Sequence, residues 1–149
     1  PAVVAARMGR DQYTDTMGIE RNRLYESRYG VSMAVDWNPD ERWSVSSTLV
    51  VADGTPYSPT NEEASAALGV WVRQGGQYNK ARYPDYVTLN ARVERRFAFG
   101  RTSLAVFFDC WNILGRQNVG WIEEWNPIQG DVFKYQMPRT PFVGAGVIF

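Results

Sequence analysis

The sequence predicts an all-β fold, an antiparallel up-and-down transmembrane β-barrel segment of about six strands that stays open as an incomplete barrel. Three observations lead there. Apolar side chains recur at every second position through several segments, the period of a strand that turns successive residues to opposite faces. The connections between those segments alternate between short and long. Aromatic residues gather at both ends of the segments, where amphipathic rings settle at membrane–water interfaces.

Taken in chain order, Ala2 to about Tyr13 reads as a weaker strand and Thr14 to Leu24 as a loop. From Tyr25 to Trp37, the positions Tyr29, Val31, Met33, Val35 and Trp37 alternate with Glu26, Arg28, Gly30, Ser32, Ala34 and Asp36. Asn38 to Glu41 is a turn cluster, and Arg42 to Ala52 returns with Trp43, Val45, Leu49 and Val51 on one side, so the pair reads as a hairpin. Pro56 to Arg82 is a long loop. Asp85 to Phe99 is the clearest strand, with Val87, Leu89, Ala91, Val93, Phe97 and Phe99 opposite Tyr86, Thr88, Asn90, Arg92, Glu94 and Arg96. Arg95 is the one charge on its apolar side, placed near the Gly100 turn where a long side chain reaches the headgroups. Leu104, Val106, Phe108 and Cys110 carry the chain back, and Leu114 to Pro138 is a second long loop. The final strand runs from Phe142 to Phe149, with Val143, Ala145, Val147 and Phe149 on one face and Phe142, Gly144, Gly146 and Ile148 on the other. Strand parity puts both short turns and the end of the last strand on one rim, and the long loops on the other.

Composition narrows the chemistry. The 149 residues hold equal numbers of basic and acidic side chains, 16 each, which removes any general electrostatic case for nucleic acid. No apolar run approaches the ~18 to 20 residues of a membrane-spanning helix, whereas barrel strands need only ~9 to 11. Cys110 is the single cysteine and histidine is absent, so disulfides, paired-cysteine metal sites and the usual general base are missing. Glu123 and Glu124 point apart in an extended chain, and Gly75-Gly76 is followed by no Lys-Ser/Thr, so neither makes an acid–base pair nor a phosphate cradle. The expectation is a protein without catalysis and without a cofactor.

Several motifs resemble one family. Asn79, Arg82, Pro84, Tyr86, Leu89 and Arg92, the strand from Leu104 to Asp109, and Trp111-Asn112-Ile113-Leu114 resemble the C-terminal barrel signature of TonB-dependent outer-membrane receptors. Asp53-Gly54-Thr55-Pro56-Tyr57-Ser58-Pro59 is similar to their Gly-x-Pro-Tyr-x-Pro element, and Pro141 to Phe149 to their closing strand. The resemblance covers Tyr25 to Phe149, and its nearest form is the large receptors that carry a carboxypeptidase-regulatory-like domain. It implies location in the bacterial outer membrane and import of a scarce nutrient of the siderophore, cobalamin or oligosaccharide class. Since these barrels have about twenty-two strands, residues 1–149 are expected to be the C-terminal part of such a barrel, without its plug domain. The implied partners are outer-membrane lipid, the remainder of the barrel and plug, the TonB complex through the missing N-terminal part, and the barrel assembly machinery, which would read Phe149. Copies sharing one barrel are an alternative way to close the sheet.

Candidate sites follow from strand parity and loop composition. Arg92, Glu94, Arg96 and Asp109, together with Glu26, Arg28, Asp36 and Arg42, are expected to face the lumen, either lining a path or forming a cross-strand charge ladder. Trp71 and Arg73 in one long loop, and Trp121, Glu123, Glu124, Trp125, Phe133 and Tyr135 in the other, combine flat apolar faces with charge. They are expected to bind ligand by stacking on a sugar or an aromatic chelator. The competing reading is a soluble, aromatic-rich β-sandwich or barrel module for carbohydrate. An outer-membrane enzyme is a third, weakened by the lack of histidine.

Overall fold

Residues that alternate apolar and polar can satisfy their backbone only by pairing sideways, and in the computed structural model six segments do so in one antiparallel sheet. The structure describes residues 1–149, the side chain of Ile148 excepted, so that position's expected orientation lies outside the described residues. In chain order the elements are β1 (Ala2–Met8), β2 (Gln12–Thr14), β3 (Glu20–Asn22), β4 (Tyr29–Trp37), β5 (Trp43–Ala52), β6 (Pro56–Tyr57), α1 (Glu62–Leu68), β7 (Ala81–Arg82), β8 (Tyr86–Phe99), β9 (Thr102–Trp111), β10 (Val119–Asn126), β11 (Gly130–Tyr135) and β12 (Thr140–Ile148). The sheet runs β1-β4-β5-β8-β9-β12, and it is open: β1 and β12 each pair on one side only.

Register carries the alternation from strand to strand. Val4 lies opposite Met33, Met33 opposite Leu49, and Leu49 opposite Leu89. Trp37, Val45, Val93, Phe108 and Val143 form a second row across five strands. Directly opposed residues share a face, so the whole sheet presents one apolar side. Val93, Val106 and Phe108 at its centre are exposed, as are Val4 and Val143 nearer its edges. Burial is correspondingly inverted. Among the described side chains the buried apolar ones include Cys110 and Ile122, while Arg21, Glu26, Asp53, Ser65, Thr88, Asn112 and Asn118 are buried polar groups. An ordinary core shows the opposite.

The second face is mostly small or polar, with the rings of Phe107 and Phe142 among its side chains. Gly144 lies beneath Phe107, where an added Cβ would stand 2.3 Å from its Cζ, so the missing side chain lets that ring lie flat. Arg92 then stacks on Phe107, 3.8 Å from its centroid. Arg95, the charge on the apolar side, stacks over Trp43 and Phe97 near the short turn.

Several boundaries differ from expectation. The first strand stops at Met8, and Tyr25 to Arg28 are not strand although their alternation continues that of β4, because Glu26 and Arg28 turn into contacts with the next connection. Arg42 sits in the turn before β5, and Phe149 lies one residue beyond β12. The long loops are also built. β2 and β3 form a hairpin in the first, β6 pairs β7 around α1 in the second, and β10 pairs β11 in the third. Asn61 caps α1 by accepting from the Ala64 N–H, and Gly69 ends it at φ 67°, the left-handed conformation glycine takes most readily. All three long connections lie at one end of the sheet and the short turns at the other.

Gly54 has no room for a side chain, since an added Cβ would sit 1.7 Å from the Tyr83 carbonyl oxygen, which is backbone. Gly54→Ala is expected to lower stability by at least the ~1 to 3 kcal/mol of ordinary overpacking, or to prevent folding. Gly146→Ala, which meets open space, should stay within ~0.5 kcal/mol. Denaturant unfolding of the two variants checks the contrast.

Candidate functional site

The loop end of the sheet is organised by one carboxylate. Asp53, buried just past β5, accepts a two-pronged contact from Arg28 (Nε to Oδ2 and Nη2 to Oδ1, both 2.8 Å) and the Arg28 backbone N–H at 3.0 Å. Arg82 donates from Nη1 to Asp53 Oδ2 at 2.8 Å and to the Gly54 carbonyl, and from Nη2 to the buried Glu26. The Arg28 guanidinium, joined by backbone donation and Arg82, holds the Asp53 carboxyl down at about 2. Residues from the connections before β4 and before β8 are thereby fixed to the end of β5.

A second set of contacts finishes β8, which outruns its partner β9 at this end. The β8–β9 register begins at Ala91 and Cys110. Beyond it, Ile113 N–H donates to the Leu89 carbonyl and Asn112 N–H to Asn90 Oδ1. The Asn118 side chain accepts from the Val87 N–H at 3.0 Å and donates to the Val87 carbonyl at 2.8 Å, taking the place of a strand neighbour. Asn112 adopts φ 50°, a turn conformation asparagine tolerates better than most residues.

Above this frame the loops enclose a cleft of about 460 Å³, within the range of small-molecule sites. Its wall includes Tyr57 stacked on Tyr83 (centroids 4.4 Å apart), and the Tyr83 hydroxyl accepts the Ile122 N–H at 3.0 Å. Burial raises the Tyr83 hydroxyl above its usual range. Arg73 and Trp121 also line the cleft, with Tyr25 at its edge. The Arg73 guanidinium stacks over Trp71, 3.9 Å from the ring centroid, and donates to the Ser58 carbonyl at 2.8 Å. Trp71 Nε1 donates to Thr60.

The structure brings together Arg73 and Trp121 from two loops, with Trp71 behind Arg73 as its support. It does not bring Glu123, Glu124 or Trp125 to the cleft. The β10–β11 register shifts between Ile122 and Glu124. One extra residue reverses the parity, so Trp121 and Trp125, four positions apart, face opposite ways. Trp125 instead donates to Glu62 at the start of α1, and Glu123 pairs with Lys134 at 3.4 Å on the surface. Phe133 packs edge-on against Tyr83, while Tyr135 lies exposed on β11. On the polar face, Glu94 accepts from Arg92 at 2.8 Å and from Arg96 at 2.9 Å, a ladder along β8 itself. Asp109 opposes Arg92 in register, and Asp36 is exposed on β4. Tyr25, Tyr57 and Tyr83 were not singled out as ligand contacts by the sequence, although two of them stand in or beside the motifs quoted above. Among the described residues no cluster of His, Cys, Asp or Glu is placed to hold a metal.

In comparisons with family models, curated proteins and solved structures, the chain matches none.

Asp53→Asn is expected to cost about 2 to 3 kcal/mol, below the ~3 to 5 of a fully buried pair because Arg28 is half exposed. A folded-state value depressed from 3.8 to about 2 means the stabilisation is complete above the unfolded value and fades as pH falls through that interval. The stability gap between parent and variant, followed by denaturant unfolding, should therefore be constant from pH 7 to 5 and narrow towards pH 2.

Proposed function

We propose that this chain forms a six-strand section of the wall of an outer-membrane β-barrel receptor, of the TonB-dependent kind its motifs resemble, that imports a scarce nutrient. The observation that carries the reading is the predominantly apolar face, with Arg95 near the short turn as its one charge, and a polar face behind it. A sheet exposing Val93, Val106, Phe108 and Val143 to water would leave an apolar surface far larger than monomeric soluble proteins tolerate. Lipid removes that cost. β4, β5, β9 and β12 run nine or ten residues, close to the ~9 to 11 a tilted strand needs to cross hydrocarbon. Short turns at one end and elaborated loops at the other match the periplasmic and outer sides of such barrels.

In this reading the free edges of β1 and β12 take further strands, from a longer chain or from other copies, because an unpaired edge in lipid leaves backbone groups unsatisfied. Outer-membrane lipid covers the apolar face, and a plug or hydrated path faces the Arg92-Glu94-Arg96 ladder. Coupling to the TonB complex would come from elsewhere in the receptor, and Phe149 with β12 would be read during assembly. The cleft between the loops serves ligand capture. A soluble carbohydrate-binding module accounts for the aromatic cleft equally well, but it leaves the apolar face without a partner.

The chain should require detergent or lipid to remain folded and disperse. A monodisperse, folded monomer in detergent-free buffer, seen by light scattering and circular dichroism, would overturn the receptor reading. In phospholipid vesicles Val93→Arg should cost about 2 to 4 kcal/mol, as expected for a mid-bilayer arginine. Ser46→Arg, on the opposite face, should cost less than 1 kcal/mol by the same urea titration.

A further inference from the structure

We infer that the loop cleft takes a ring-bearing carboxylate, its ring on Trp121 and its charge on Arg73. The inference deepens the reading of the loops as a capture site. Three observations support it. Among the described residues no carboxylate lines the cleft, and Arg73 is the single charged residue in its wall. That guanidinium is already positioned by its stack on Trp71 and its bond to the Ser58 carbonyl, and among the described residues it has no acidic partner. An ordered cation without a counter-charge, beside an exposed indole, is complementary to an anion that also offers a flat face.

Thirdly, the cleft has a neighbour. Tyr25, Thr55, Tyr83 and Gly120 border both this cleft and a second hollow of about 410 Å³ that reaches Arg7 and Tyr86. Tyr86 belongs to the polar face of the sheet, so the second hollow adjoins the cleft on the side towards that face. Asp53 is the one carboxylate lining the second hollow, and Arg28 and Arg82 already neutralise it. Arg7 has no ion-pair partner among the described residues. The space adjoining the cleft thus offers a second uncompensated cation and, among the described residues, no free acid.

Acidic sugars and aromatic acids share this chemistry, and titration calorimetry on the chain in detergent micelles separates them. The probes are digalacturonate, salicylate and the neutral disaccharide galactobiose. At least one acid should bind at least ten-fold more tightly than galactobiose, and which one binds identifies the source. Arg73→Gln should erase the preference for the acid, while Trp121→Ala should weaken that acid and galactobiose alike. Circular dichroism confirms that both variants, altered at exposed positions, remain folded. No binding of either acid at millimolar concentration, galactobiose binding as tightly as the acids, or a preference that survives Arg73→Gln would each overturn the inference. Acid binding by a chain that proves soluble without detergent would sink the receptor reading and leave this one standing; detergent dependence without acid binding would do the reverse.

Discussion

Parity along the strands is the constraint on which the rest of the molecule depends. Side chains alternate with a period of two, so a slip of one residue in any pairing would carry Val93 to the polar side and Arg92 to the apolar side. The six strands of the main sheet pair without such a shift, and the irregular registers fall in the β10–β11 hairpin outside it. One layer of protein therefore presents an apolar side and a polar side. Exposed valine and phenylalanine follow directly from that arrangement, whereas the buried arginine, aspartate and asparagines lie in the connections at the loop end.

At the loop end the problem changes from separating faces to satisfying backbone and charge. β8 extends past β9, and four hydrogen bonds made by Asn112, Ile113 and Asn118 supply what a neighbouring strand would have given. The Asp53 carboxylate then draws two arginines together that would otherwise repel each other. Gly54 allows the Tyr83 backbone to approach at a distance that excludes any side chain, which sets the stacked tyrosines at the wall of the cleft.

The strands were legible because alternation is a local signal repeated many times. β8 and β9 were placed to within a few residues, and the turns at Asn38 to Glu41 and at Gly100 fell where the pattern broke. Alternation failed at Tyr25 to Arg28, where a tertiary charge contact to Asp53 and Arg82 overrides a strand-like sequence. The seven residues of α1 are too few to display a helical period, although Asn61 before Glu62-Glu63 and Gly69 after Leu68 mark its two ends. Ion pairing between Glu26 and Arg82 spans 56 positions and leaves no local trace. Trp125 was named with Trp121 from loop composition alone, and the bulge that turns the two apart leaves no trace in that composition. Arg73 and Trp121 were readable as loop residues of binding type, but their meeting across one cleft was not.

Asn22 and Asn79 exchange side-chain-to-backbone bonds in both directions, joining the β2–β3 hairpin to the connection before β7. That same connection is fastened to the β10–β11 hairpin through Trp125 with Glu62 and Thr60 with Asp131. The three excursions at this rim are thus stitched into a single canopy. Tugging any one of them must drag the other two, so the rim deforms as a unit and not flap by flap.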